Sequence, residues 1–207
     1  MIQTSYTAAD VAALSALHRR AFPDFFLSRL GEPFLRQFYL GYLDDPDAVV
    51  AVARAADGRI VGAAVGSTRP AGFFSRLLVR RLAGFVGASI LAALRDPRTV
   101  PRLLAAVKYR GDQPPGSEGA LLSSLCVDPS CRAAGIGGAL DEAWRQRAVE
   151  LGARTAFLTT DALDNEPVNL FHQRNGWQLT DQFTTPQGRR MNRYRHDLPY
   201  SEGRDGD

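Results

Sequence analysis

Residues 121–144 read LLSSLCVDPSCRAAGIGGALDEAW: an apolar run, a short loop rich in small residues, then apolar residues at helical spacing. A short apolar run bounded by turn residues reads as a buried strand. Gly135, Gly137 and Gly138 then lead straight into a helix. Strand, loop and helix in this order bring free backbone N–H groups and the positive end of a helix dipole to one point. Glycine lets the backbone approach an anion that a Cβ would hold off, and Arg132 can add a charge-assisted contact. The pattern fits a phosphate cradle, and it also fits an ordinary glycine-rich turn. Neither the G-x-G-x-x-G nor the G-x-x-x-x-G-K-[ST] nucleotide pattern is met.

On the C-terminal side, the spacing predicts a helix over about 137–151 stopped by Gly152, and a strand from Arg154 to Thr160. A helix from about Pro167 to Arg174 follows, ended by Asn175-Gly176. Strands Gln178 to Phe183 and Met191 to Asp197 flank a Thr-Pro-Gln-Gly turn. On the N-terminal side, Ile2 to Tyr6 alternates like a short strand. Thr7 or Asp10 can cap a helix with Val11, Leu14, Leu17 and His18 on one face, ending before Pro23. A second helix covers about Phe34 to Leu43, with Pro33 in its first turn and Asp44-Asp45-Pro46 at its end. Residues 49–67 form two apolar strands joined at Ala56-Asp57-Gly58. Phe22, Phe25, Phe26, Phe34 and Tyr39 read as core or cleft lining, and His18 as a packed residue bordering the cleft.

Residues 70–110 differ, because arginines fill the gaps between apolar residues at helical spacing. Helices are predicted at about 74–94 and 99–109, broken by Pro97 and Pro101 and followed by a loop at Pro114-Pro115-Gly116. The net charge of +3 hides this distribution: residues 1–68 carry −1, residues 69–110 carry +8 and residues 111–207 carry −4. With 45% apolar and 23% charged residues, the 207-residue chain excludes disordered, collagen-like and disulfide-scaffold classes. Cys126 and Cys131, five apart without a histidine at zinc spacing, argue against a metal site. No segment looks like a cleaved signal, and the longest apolar run, Leu82 to Leu94, is too short to span a bilayer. A cytoplasmic location is expected. The reading is one domain over 1–198 with a basic helical insertion at about 70–115, and a disordered tail over 199–207.

Val127-Asp128-Pro129 followed by Arg132-Ala133-Ala134-Gly135-Ile136-Gly137 resembles the acyl-CoA loop of the GNAT superfamily of N-acetyltransferases, [QR]-x-x-G-x-[GA] after a strand ending in Val-x-Pro. A second stretch, from Asn165 through Val168, Phe171 and His172 to Gly176-Trp177, is similar to that family's N-x-x-A-x-x-[LF]-Y-x-x-x-G-[FW] at identical spacing. The resemblance implies a mixed, mostly antiparallel central sheet flanked by helices, an α/β fold with a helical insertion before the strand that binds CoA. It implies acetyl-CoA as co-substrate and direct attack of an amine on the thioester, with no metal. Backbone groups of Leu125, Cys126 and Val127 would hold the pantetheine arm, and amides of Arg132, Ala133, Ala134, Gly135, Ile136, Gly137 and Gly138 the pyrophosphate. Asn165 would contact pantetheine or a nearby strand, with Phe171 beside it.

The sequence departs from the family pattern at His172, where many members carry the tyrosine that protonates the leaving thiolate. His172 is read as general acid through its imidazolium, as a packing residue beside unassisted departure, or as the mark of a non-catalytic acyl-CoA binder. Candidates for the general base are Glu118, Ser123 and Ser124, the serines through a water, and Asp161. The expected acceptor is a small-molecule primary amine, with an amino sugar or nucleotide-linked amino sugar preferred because residues 21–39 resemble GNAT proteins found with surface-polysaccharide synthesis. A protein or peptide amine, or a regulatory acyl-CoA-binding role, is the alternative. The basic segment 70–110 covers a sheet edge, holds acceptor phosphates or makes a peripheral contact with anionic lipid. Nucleic acid is not expected as a partner, and a homodimer is left open.

Overall fold

The computed structural model describes residues 1–95, 118–131, 134–186 and 188–199. The helix expected at about 99–109, the tail from 200 onward, and Arg132 and Ala133 lie outside these residues. The elements run β1 (Ile2–Gln3), α1 (Val11–Ala21), α2 (Phe26–Arg29), α3 (Glu32–Leu43), β2 (Ala48–Arg54) and β3 (Ile60–Ser67). After them come α4 (Phe73–Arg80), α5 (Leu82–Arg95), β4 (Ala120–Val127), α6 (Ile136–Glu150), β5 (Thr155–Asp161), α7 (Glu166–Arg174), β6 (Gln178–Thr184) and β7 (Arg190–Asp197). The expected first strand is shortened to two residues, since Thr7 and Asp10 close a hydrogen-bonded box ahead of α1. The single helix expected over 74–94 is two helices that break at Arg81.

The seven strands form one sheet in the order β1-β2-β3-β4-β5-β7-β6. All neighbours are antiparallel except β4 and β5, which run parallel. The alternating side chains of each strand feed two cores, one on each face. On one face α1 and α3 pack Leu14, Leu17, Phe38, Tyr39 and Tyr42 against Val52, Ala63, Val65 and Cys126. On the other, α6 packs Leu140, Trp144 and Ala148 against Val49, Ala51, Ala64 and Leu122, joined by Trp177 and Tyr194. Trp144 is fully buried, and its indole donates to the Val49 carbonyl at 3.0 Å. Gly66 makes room for it, because a Cβ there would lie 2.6 Å from the ring.

The basic insertion does not cover a sheet edge in its described part. Phe73, Leu77, Phe85 and Ala88 are buried, and α4 and α5 pack on α3. Its arginines fold back on the acids that end α3. Arg81 meets Asp44 at 2.6 Å, Arg80 donates to the Asp44 carbonyl at 2.9 Å, and Arg76 and Arg80 lie 3.6 and 3.8 Å from buried Asp45. Arg76, Arg80 and Arg81, which have no acid near them along the chain, are therefore paired in space. No described helix is long and apolar enough to cross a membrane.

Candidate active site

The parallel pair β4–β5 is the weak seam of the sheet. The two strands are in register only at Ala120↔Ala156 and Leu121↔Phe157. Beyond those pairs, Leu122–Val127 and Leu158–Asp161 splay apart, which leaves backbone donors and acceptors of β4 facing a gap. The opposite edge of β4 stays paired to β3 through Val127↔Gly62, with a bulge that leaves Ser123 as the extra residue between Leu122 and Ser124. A groove of about 1050 Å³ occupies the gap.

One end of the groove is made by the loop after β4. Asp128 organises that loop by accepting the Ser130 hydroxyl at 2.7 Å, the Ser130 N–H at 3.0 Å and the Arg20 guanidinium at 2.8 Å. These partners hold its carboxyl down at about 2. Gly135 caps α6 in the left-handed region, φ +72°. Gly137 passes so close to α7 that a Cβ would meet the Phe171 ring at 3.1 Å. Gly135, Ile136, Gly137 and Gly138 all line the groove at the N-terminus of the 15-residue helix α6. A helix end with free N–H groups and no capping side chain is matched to an anion.

The pattern of the Acetyltransferase (GNAT) family matches residues 11–177. The chain belongs to that acetyltransferase family. None of the curated proteins matches the sequence, but solved structures share the fold. A ribosomal-protein-alanine N-acetyltransferase from Brucella melitensis superposes with a TM-score of 0.61 at 16% identity, over 96% of this chain and 99% of that one. An aminoglycoside 6'-N-acetyltransferase complexed with coenzyme A gives 0.60 at 13% identity, over 98% and 99%. An N-acetyltransferase from Staphylococcus aureus Mu50 gives 0.59 at 17%, over 96% and 98%.

In this acetyltransferase, Leu125, Cys126, Val127, Asn165, Phe171 and His172 line the groove together with Ser123 and Ser124. Ala134 is exposed directly ahead of Gly135 and is not part of the lining. Glu118 is also outside it: it is exposed ahead of β4, at the end of the strand opposite the glycine loop. Asp161 is engaged by Arg189, whose Nη2 donates to both carboxylate oxygens at 2.7 and 2.8 Å and whose Nε donates to one of them at 3.1 Å. Asn165 turns its amide to β5, donating to Thr160 Oγ1 at 2.8 Å and to the Asp161 carbonyl at 3.2 Å. Asn169, one turn on, ties α7 to the same carbonyl and accepts from Asn192 and the Tyr194 hydroxyl at 2.8 and 2.9 Å. The motif asparagine and its neighbour thus position α7 against the splayed strand.

His172 is 6% exposed, packed among Phe171, Trp177 and Tyr194, and its Nδ1 has no partner among the described residues. Burial pushes the imidazole down to about 4. Burial thus disfavours the imidazolium at this position. His18 on α1 shares this condition. It lines the groove at 1% exposure, its Nδ1 lies 3.0 Å from the Tyr39 hydroxyl, its Nε2 has no partner among the described residues, and burial holds it at about 4. Ser124 Oγ is also buried without a partner. Buried polar atoms are nearly always satisfied, so His18 Nε2, Ser124 Oγ and His172 Nδ1 along one groove mark it as a place for a ligand. Cys126 is a neutral thiol, pushed up to about 12 by burial.

Sequence reasoning missed three features of the site. The bulge at Ser123 is invisible in an apolar run, Asn169 and Tyr194 fall outside the motif positions, and Leu27, Phe38 and Phe74 join the groove from three separate helices. The one signal that pointed to α1 was His18 on its apolar face.

Proposed function

We propose that this acetyltransferase transfers the acetyl group of acetyl-CoA directly to a primary amine of a small molecule. The observation that carries the reading is the continuity of two features: the splayed edge of β4 runs into the uncapped, glycine-lined N-terminus of α6. An extended arm fits along Leu125–Val127 as a further strand would, and a pyrophosphate fits the amides from Gly135 to Gly138, with Arg132, Ala133 and Ala134 preceding them in the loop. Acetyl-CoA supplies the electrophilic thioester carbonyl. The CoA-bound aminoglycoside enzyme with the same fold supports this co-substrate. The proposal treats residues 1–198 as one domain, working in the cytoplasm with its two thiols free.

Ser124 is the proposed polar contact nearest the amine, and His172 the neutral ring beside the sulfur, donating or accepting a hydrogen bond without carrying charge. The acceptor proposed is a small primary amine, with an amino sugar as one arm of the test. Titration calorimetry with acetyl-CoA checks the reading. Micromolar binding is expected, and its loss in Gly135→Glu, where space is open but the backbone is left-handed and the carboxylate would repel phosphate. Absence of binding by the unmodified protein overturns the proposal. Binding without turnover on any amine would make this an acyl-CoA-binding module.

A further inference from the structure

The groove joins the two faces of the sheet. On the face of α6 lie the glycine loop and α7, and Leu125 and Val127 turn their side chains to that core. On the opposite face, reached through the splayed strands, the lining comes from Phe22, Phe25, Leu27, Phe38 and Phe74 of the α1–α4 layer. Phe38 is buried, whereas Phe25 is 42% exposed and Phe22 and Phe74 are half-buried, so they form an accessible shelf. Phe22 and Phe25 lie 6.1 Å apart, and His18 packs edge-on to Phe22 at 5.1 Å.

We propose that this aromatic shelf seats the acceptor, and that the acceptor is a primary amine carried on an aromatic body. The inference rests on the acetyl-transfer reading and narrows its substrate. Apolar rings reward a ring that stacks on them, whereas sugar hydroxyls placed there would lose water without gaining partners. Among the described lining residues the only carboxylate is Asp164, on the turn before α7, so a polycationic acceptor finds no counter-charge on the shelf. Of the lining residues, His18, Ser123 and Ser124 carry buried side-chain polar atoms without a partner among the described residues. The Tyr39 hydroxyl at Nδ1 fixes the ring of His18 and leaves its Nε2 without a partner among the described residues.

The neutral state of His18 at pH 7 suits the same class. Of the two aromatic classes, an arylalkylamine must first lose a proton to solvent, whereas a weakly basic arylamine arrives unprotonated and needs no strong base. Its nitrogen forms the C–N bond as the C–S bond breaks, and the nitrogen's proton ends on the departing thiolate, giving free CoA thiol and an amide.

Steady-state kinetics with acetyl-CoA, an arylamine, an arylalkylamine, glucosamine and an aminoglycoside test the proposal. The kcat/KM for an aromatic amine is expected to exceed that for glucosamine and the aminoglycoside at least tenfold. Phe22→Ser with Phe25→Ser should raise the aromatic amine's KM at least tenfold and leave acetyl-CoA affinity unchanged, with Phe→Leu at both sites partly restoring it. Equal or better use of the sugars overturns the proposal while acetyl-CoA binding stands. Loss of acetyl-CoA affinity in the serine variant overturns it too, because the shelf would then belong to the co-substrate. Failure of the unmodified protein to bind acetyl-CoA sinks the underlying reading instead.

Discussion

The two faces of the central sheet are built to opposite rules. On the α6 face the working parts are backbone: a left-handed Gly135, a close-packed Gly137 and an unpaired strand edge, set by Trp144 and by Trp177, whose indole donates to buried Asp141 at 2.9 Å. On the α1–α3 face the working parts are side chains from separate helices, the phenylalanine shelf and His18. Backbone geometry suits a constant ligand such as a phosphate chain, and side-chain lining suits a ligand that varies. Each face also buries one neutral histidine, His172 or His18.

Four experiments stress this division, the largest effect first. Trp144→Ala removes a fully buried ring and its hydrogen bond to Val49, and should cost about 3–5 kcal/mol in urea unfolding. It should lower the apparent stability of the whole sheet and leave no face-specific phenotype. The two histidines come next. Each imidazole titrates at 6.5 when exposed and at about 4 in the fold, so the unfolded chain binds protons that the folded one excludes. Stability is then complete above about pH 6.5 and declines as pH falls toward 4, by up to about 3 kcal/mol for each histidine. Chemical unfolding across pH 4.5–7.5 should show this slope, halved in His18→Phe and likewise in His172→Phe. A flat profile in the unmodified protein would contradict the buried neutral rings.

Gly137→Ala pushes a methyl against Phe171 and should weaken acetyl-CoA about tenfold, near 1.4 kcal/mol, without changing the KM ratio among amines. The smallest effect is expected at Arg81→Ala. Its ion pair with Asp44 is partly exposed, so thermal unfolding should register about 0.5 kcal/mol, fading in high salt.

The α6 face was largely legible in the sequence, because glycines required by local backbone geometry and a fixed motif spacing write themselves into consecutive residues. Strand and helix order followed from hydrophobic period for the same reason, with the length of β1, the short helix α2 and the break at Arg81 as the misses. The other face was legible only in part: His18, Phe22 and Phe25 read as residues of the cleft and do line the groove, but the rest of that wall did not show. His18, Phe38 and Phe74 lie far apart in the chain, and nothing local says that α1, α3 and α4 open onto one groove. Glu118 shows the reverse error: proximity to β4 in sequence suggested a base, yet the direction of the strand carries it away from the gap.

The sequence by itself determined the elements, the family and the anion-ready loop, since each depends on neighbours within a few residues. The tertiary structure alone decided which charges remain and which side chains meet. Arg76, Arg80 and Arg81 meet the acids at 44–47 only when α4 and α5 fold onto α3. Likewise, the neutral state of His18 and His172 depends on burial by rings from other elements, a desolvation that no local pattern records.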